Sequence, residues 1–147
     1  MKSILICLLL GLSFSYNGEA AAEYAKKYCN KYNPNYNNYK KIDGADESAN
    51  FASQCISVGG GLDLTGCEGL DDKGMIKKIS DLKKCIISKG WKITKKISKG
   101  YLMFLKAVFL PMIVTEVPKR DIIFSSHDFD RCDSRIGFNY VDIYAPS

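Results

Sequence analysis

An α+β fold, with N-terminal helices packed on a small antiparallel sheet, is predicted by two features of this 147-residue chain. Apolar residues recur at three- and four-residue steps as far as Ile86, whereas from Tyr101 onward they gather into short β-branched and aromatic runs. Glycine and proline clusters punctuate the chain between these segments, and no internal repeat or second domain is visible.

Taken in order, Met1 and Lys2 followed by the apolar run Ile4 to Leu10 read as a signal peptide over residues 1 to 15. Ser13 and Ser15 are the small residues a signal peptidase requires, and Gly18 and Ala20 offer a cut as late as residue 20. The run is shorter than the roughly 20 residues that span a bilayer, so no transmembrane anchor is expected. Residues 16 to 147 then form a single secreted, extracellular domain of about 130 residues, long enough for a hydrophobic core. Glu19 to Tyr32 is the first predicted helix, with Ala21, Tyr24, Ala25, Tyr28 and Tyr32 on one face and Asn33-Pro34 as its stop. Asn35 to Lys41 lacks periodicity and reads as a loop, and Asp43, Gly44 and Asp46 continue the turn. Ser48 to Val58 places Phe51, Cys55 and Val58 on a second helical face, closed by Gly59-Gly60-Gly61. Met75, Ile79, Leu82 and Ile86 mark a third helix that Gly90 ends. Strands are expected at Phe104–Phe109, Met112–Val117, Ile122–Phe124 and Val141–Tyr144, with a turn at Pro118-Lys119-Arg120.

Cleavage leaves five cysteines, Cys29, Cys55, Cys67, Cys85 and Cys132, which a secreted chain pairs. Five is odd, so at least one thiol remains free or pairs outside the chain. With no CxxC pair and His127 as the sole histidine, neither a metal site nor a cofactor is expected. The charge is uneven: Lys73 to Lys99 holds ten lysines against one acid, Asp81. Such a field attracts anionic partners, such as an anionic envelope surface, and weakens with salt. Nucleic acid is not an expected partner, because arginine, the residue of bidentate recognition, is absent from the cluster.

Four stretches carry a family resemblance: Ala22 to Tyr36 (AEYAKKYCNKYNPNY), Glu47 to Gly60 (ESANFASQCISVGG), Leu110 to Val117 (LPMIVTEV) and Phe124 to Asp133 (FSSHDFDRCD). They resemble, respectively, the opening helix with its Asn-Pro-Asn-Tyr exit, the Asp-Cys-Ala-Asn-Phe-x-Ser-Gln stretch, the His-Ala-Met-Ile strand and the Ser-x-His-x-Asn-Asp-Arg segment of the amidase-domain family. That family is similar to the NlpC-type and papain-like cysteine peptidases.

The resemblance implies a papain-like, NlpC-type fold and hydrolysis of amide or peptide bonds such as those of bacterial cell-wall peptides. It puts the nucleophile at Ser48, the base at Leu110 and the orienting residue at His127, with Asn50, Asp130 and Arg131 as matching polar residues for ligand binding. The departures are chemical. Serine replaces the cysteine nucleophile, leucine replaces the base histidine, Glu47 stands for the family's Asp, and Phe129 for its Asn. Met75 falls where a cysteine is expected, which leaves Cys67 or another thiol without its partner. A serine hydroxyl needs an adjacent base more than a thiol does, and Leu110 cannot act as one. The expectation is a catalytically degenerate, monomeric binding protein. The alternatives are a weak serine-type amidase or peptidoglycan hydrolase using Ser48 with His127, and a cationic envelope-binding protein.

Overall fold

The computed structural model describes residues 15–128 and 130–147; the predicted signal-peptide run and Phe129 lie outside the described residues. Helices α1 (Gly18–Tyr28), α2 (Glu47–Gln54) and α3 (Ile79–Ser88) precede most of a six-stranded sheet. Its strands are β1 (Lys92–Thr94), β2 (Leu102–Leu105), β3 (Pro111–Glu116), β4 (Ile122–Ser126), β5 (Arg131–Ile136) and β6 (Val141–Ala145). The spatial order is β1-β6-β2-β3-β4-β5, with every neighbouring pair antiparallel. Both α1 and α2 pack across β3 and β4, and α2 also meets α3. The core between helices and sheet is built on Phe51, Ile56, Leu82, Ile86, Leu102, Phe104 and Ile113. The opposite face of the sheet gathers Met103, Met112, Val114, Ile122, Phe124, Val141 and Ile143 into a second cluster.

Several elements depart from expectation. Helix α1 ends at Tyr28 rather than Tyr32, because Cys29 is tied to Cys132 of β5 and the chain turns there. The face that begins with Phe51 and Cys55 does not continue to Val58, which is 42% exposed. Residues Cys55–Gly59 form a π-helical turn, whose wider winding rotates the following side chains off the α-helical stripe. Gly59 is required there: a Cβ would lie 2.7 Å from the Cβ of Tyr24 on α1. Gly61 takes the left-handed conformation expected just past a helix end, at φ +79°.

Met75 is buried but precedes α3; its neighbour Ile76 bridges to Leu70. Burial alone would raise the Asp71 carboxyl, but the N–H groups of Met75 and Lys73 and the side chains of Asn37 and Tyr39 hold it below the usual carboxylate range. The predicted strand Phe104–Phe109 stops at Leu105, and residues 106–109 form the turn into β3. Trp91 is a core aromatic, edge-on to Tyr16.

Disulfides join Cys29 to Cys132 and Cys67 to Cys85, so Cys67 is not the odd thiol. That thiol is Cys55, fully buried, and burial pushes its pKa well up. Thiol titration of the chain lacking residues 1 to 15, without reductant, is therefore expected to find no reactive thiol in the native state and one after denaturation. A reactive native thiol would contradict the pairing. Among the described residues no helix is long and apolar enough to cross a membrane. This and the two disulfides are compatible with an extracellular, non-membrane setting.

Candidate functional site

Ser48 is the second residue of α2, Leu110 immediately precedes β3, and His127 immediately follows β4. Because β3 and β4 are neighbours beneath α2, the three residues line one cleft of about 370 Å³. Its rim comes from the loop Tyr39–Asp43, with Lys40 and Lys41, and its far wall from Ile79 and Asp128. A register shift between Phe124 and Ser126 in the β4–β5 pairing lies just before His127, where a bulge redirects the chain. Two wider clefts of about 550 Å³ contain neither Ser48 nor His127.

Asp46 stands at the N-cap of α2 but does not cap it. Its Oδ2 accepts the N–H of Ile79, the first residue of α3, at 3.1 Å, and its own N–H donates to the Lys77 carbonyl at 2.7 Å. The first turn of α2 therefore lacks a side-chain cap, and its positive dipole end lies beside the cleft. The Ser48 hydroxyl, on a residue only 6% exposed, makes no hydrogen bond among the described residues.

His127 is engaged through both ring nitrogens. Nδ1 lies 2.8 Å from Glu47 Oε1, and Nε2 lies 2.5 Å from the Tyr28 carbonyl oxygen. A backbone carbonyl can only accept, so Nε2 carries a hydrogen and donates it. A second proton must lie between Nδ1 and the carboxylate. The Tyr28 carbonyl belongs to the last residue of α1, where the helix dipole favours a donor or a cation. Phe51 stacks on the imidazole at 3.7 Å between centroids, and Tyr32 packs at 4.9 Å. The second oxygen of Glu47 accepts the N–H of Tyr39 at 2.7 Å, so one buried carboxylate joins α2, the rim loop and the end of β4.

The other predicted binding residues do not line the cleft. Asn50 is fully buried; its amide donates to Asp71 at 3.2 Å and accepts from Gln54 at 2.7 Å. Asp130 pairs with Lys40 and ties the rim loop to the segment after His127. Arg131 opens β5, 3.6 Å from Asp128. Three contributors escaped the sequence reading: Glu47 as the partner of His127, the Tyr28 carbonyl, and the Tyr39–Lys41 rim. The last lies in an Asn- and Tyr-rich loop without periodicity, and a backbone carbonyl leaves no mark in a sequence.

Chemically, the cleft presents a serine hydroxyl at an uncapped helix N-terminus, suited to meet a carbonyl or carboxylate oxygen. Among the described residues no proton acceptor lies within hydrogen-bond distance of that serine, although the carboxylates of Asp43, Asp46, Glu47 and Asp128 line the same cleft. Leu110 is apolar, and His127 has both nitrogens committed.

No solved structure matches this chain. Part of it is 42% identical over 50 residues to a protein of Bacillus subtilis (strain 168) named "Uncharacterized protein YhbB". That stretch is 34% of this chain but only 14% of the length of the relative. The sequence pattern of the family described as "Putative amidase domain" matches residues 15–100, which hold all three helices, β1, Glu47 and Ser48 but stop short of Leu110 and His127. Since that match covers more than half of its length, the chain belongs to this amidase-domain family.

Proposed function

We propose that residues 16 to 147 act as a secreted amidase-like domain, on a cysteine-peptidase-like fold, that holds amide or peptide ligands such as bacterial cell-wall peptides without cleaving them. The single observation that supports this reading is that, among the described residues, no proton acceptor lies within hydrogen-bond distance of the Ser48 hydroxyl: the base position is Leu110, and both nitrogens of His127 are spent on Glu47 and Tyr28. General bases act within about 3 Å of the proton they take, and a serine without one is a poor nucleophile. The uncapped first turn of α2 and the unbonded hydroxyl would still receive a ligand carbonyl or carboxylate.

Incubation with purified cell-wall peptides is expected to release amino groups at the background rate, in the native protein and in Ser48→Ala alike. Calorimetric titration with the same peptides is expected to give binding that Ser48→Trp, which fills the cleft, removes. Turnover that disappears in Ser48→Ala would overturn this reading in favour of a serine hydrolase, and absence of peptide binding would overturn the ligand class.

A further inference from the structure

The turn between β2 and β3 is unusual for its exposure. Val108 and Phe109 are 62% and 55% exposed, and Phe109 holds a left-handed backbone, φ +52°, that non-glycine residues seldom adopt. The backbone bonds of the turn, Phe109 N–H to Leu105 at 2.7 Å and Leu105 N–H to Leu110 at 3.0 Å, keep the tip in this form. Beside it the Lys83 ammonium sits 5.3 Å from the Phe109 ring centroid and 5.9 Å from those of Phe104 and Tyr144.

The apolar surface does not end at the tip. Ile87, one helical turn beyond Lys83 on α3, is 52% exposed. Ile93, paired with Tyr144 in the β1–β6 ladder and therefore on the same face of the sheet, is 63% exposed. Asp142, which shares this face with Phe104, is answered by Lys106 at 3.9 Å. Lys83 has no carboxylate partner among the described residues and Lys84 only an exposed one, Glu68 at 3.8 Å; apolar side chains beside such lysines form a surface that a polar partner would match only by half.

We infer that this face, the Val108–Phe109 tip with the outer side of α3, docks onto an anionic lipid surface. The tip enters the acyl boundary while Lys83 and Lys84 stay among the headgroups. A soluble polyanion would satisfy the lysines and leave the tip in water; a bilayer satisfies both. Leu110 follows the tip directly and lines the cleft at Ser48, so docking would bring the cleft close to the lipid surface.

The test is cosedimentation with vesicles of phosphatidylcholine containing phosphatidylglycerol, against phosphatidylcholine alone. Binding is expected only to the anionic vesicles. Val108→Ser with Phe109→Ser, in an exposed turn, is expected to weaken it at least about tenfold without shifting the thermal midpoint. Lys83→Glu and Lys84→Glu are each expected to weaken it by about fivefold or more. Phe109→Trp should show a blue-shifted emission on binding, readable because the native Trp91 is already buried. Any one of four results would overturn the inference: no binding to anionic vesicles, binding that survives the serine tip, a Phe109→Trp emission that stays unshifted on bound vesicles, or sedimentation showing that the tip closes a dimer of this chain.

Discussion

Replacing Glu47 by alanine is expected to lower the thermal midpoint by roughly 10 to 20 °C, the effect of removing one partner from a buried polar network in a domain of this size. Two buried groups lose their partner at once: His127 at Nδ1 and the backbone N–H of Tyr39. Glutamine at the same position is expected to cost far less. Its oxygen can accept from Tyr39 and its amide can donate to a neutral His127, whose Nε2–H still reaches the Tyr28 carbonyl. The changes Glu47→Ala and His127→Ala should not add, because each removes the same contact. Denaturation scans of the native protein and these four variants decide the matter. Equal losses for alanine and glutamine, or strict additivity in the double mutant, would show that the pair is not the organising contact of the site.

How much of this was legible beforehand depended on what each residue answers to. The helix α2 and the central strands β3, β4 and β6 face the core, so their apolar patterns marked them. The edge strands β1 and β5 read as Lys-Ile-Thr and Arg-Cys-Asp-Ser-Arg-Ile, and strands with solvent on one side carry few apolar residues to betray them. The apolar pattern begins the third helix one turn early, at Met75, because Met75 and Ile76 are as apolar and buried as helical core residues although Ile76 sits in a short bridge and α3 begins at Ile79. At the site, the resemblance named Ser48, Leu110 and His127, and the cleft does bring these positions together. It could not reveal the use made of Glu47. The same polar residues at fixed spacing suggested that Asn50, Asp130 and Arg131 bind ligand, whereas Asn50 and Asp130 lie in hydrogen bonds and ion pairs that shape the cleft from outside.

The second large effect is a gain of catalysis. Ser48→Cys alone is expected to yield hydrolysis of cell-wall peptides near background, because no imidazole is available to hold the thiol as a thiolate. Adding Leu110→His puts a ring into the same cleft, and since nucleophile and base act as one unit, the double gain should exceed the product of the single gains. Even so, the new base would lack an orienting partner while His127 remains bound to Glu47. The amidase-domain resemblance puts the shorter aspartate at position 47, and with one methylene fewer its carboxylate is expected to fall short of the 2.8 Å contact that Glu47 makes with Nδ1. Glu47→Asp should therefore release His127 toward position 110. The triple variant is expected to exceed the double by roughly ten- to a hundredfold in kcat/KM, within the range that a positioned acid–base pair supplies. Its pH profile should shift as well, which a merely structural repair would not produce. A triple variant no better than the double, with both folded by thermal scan, would show that Glu47 is not what detains His127.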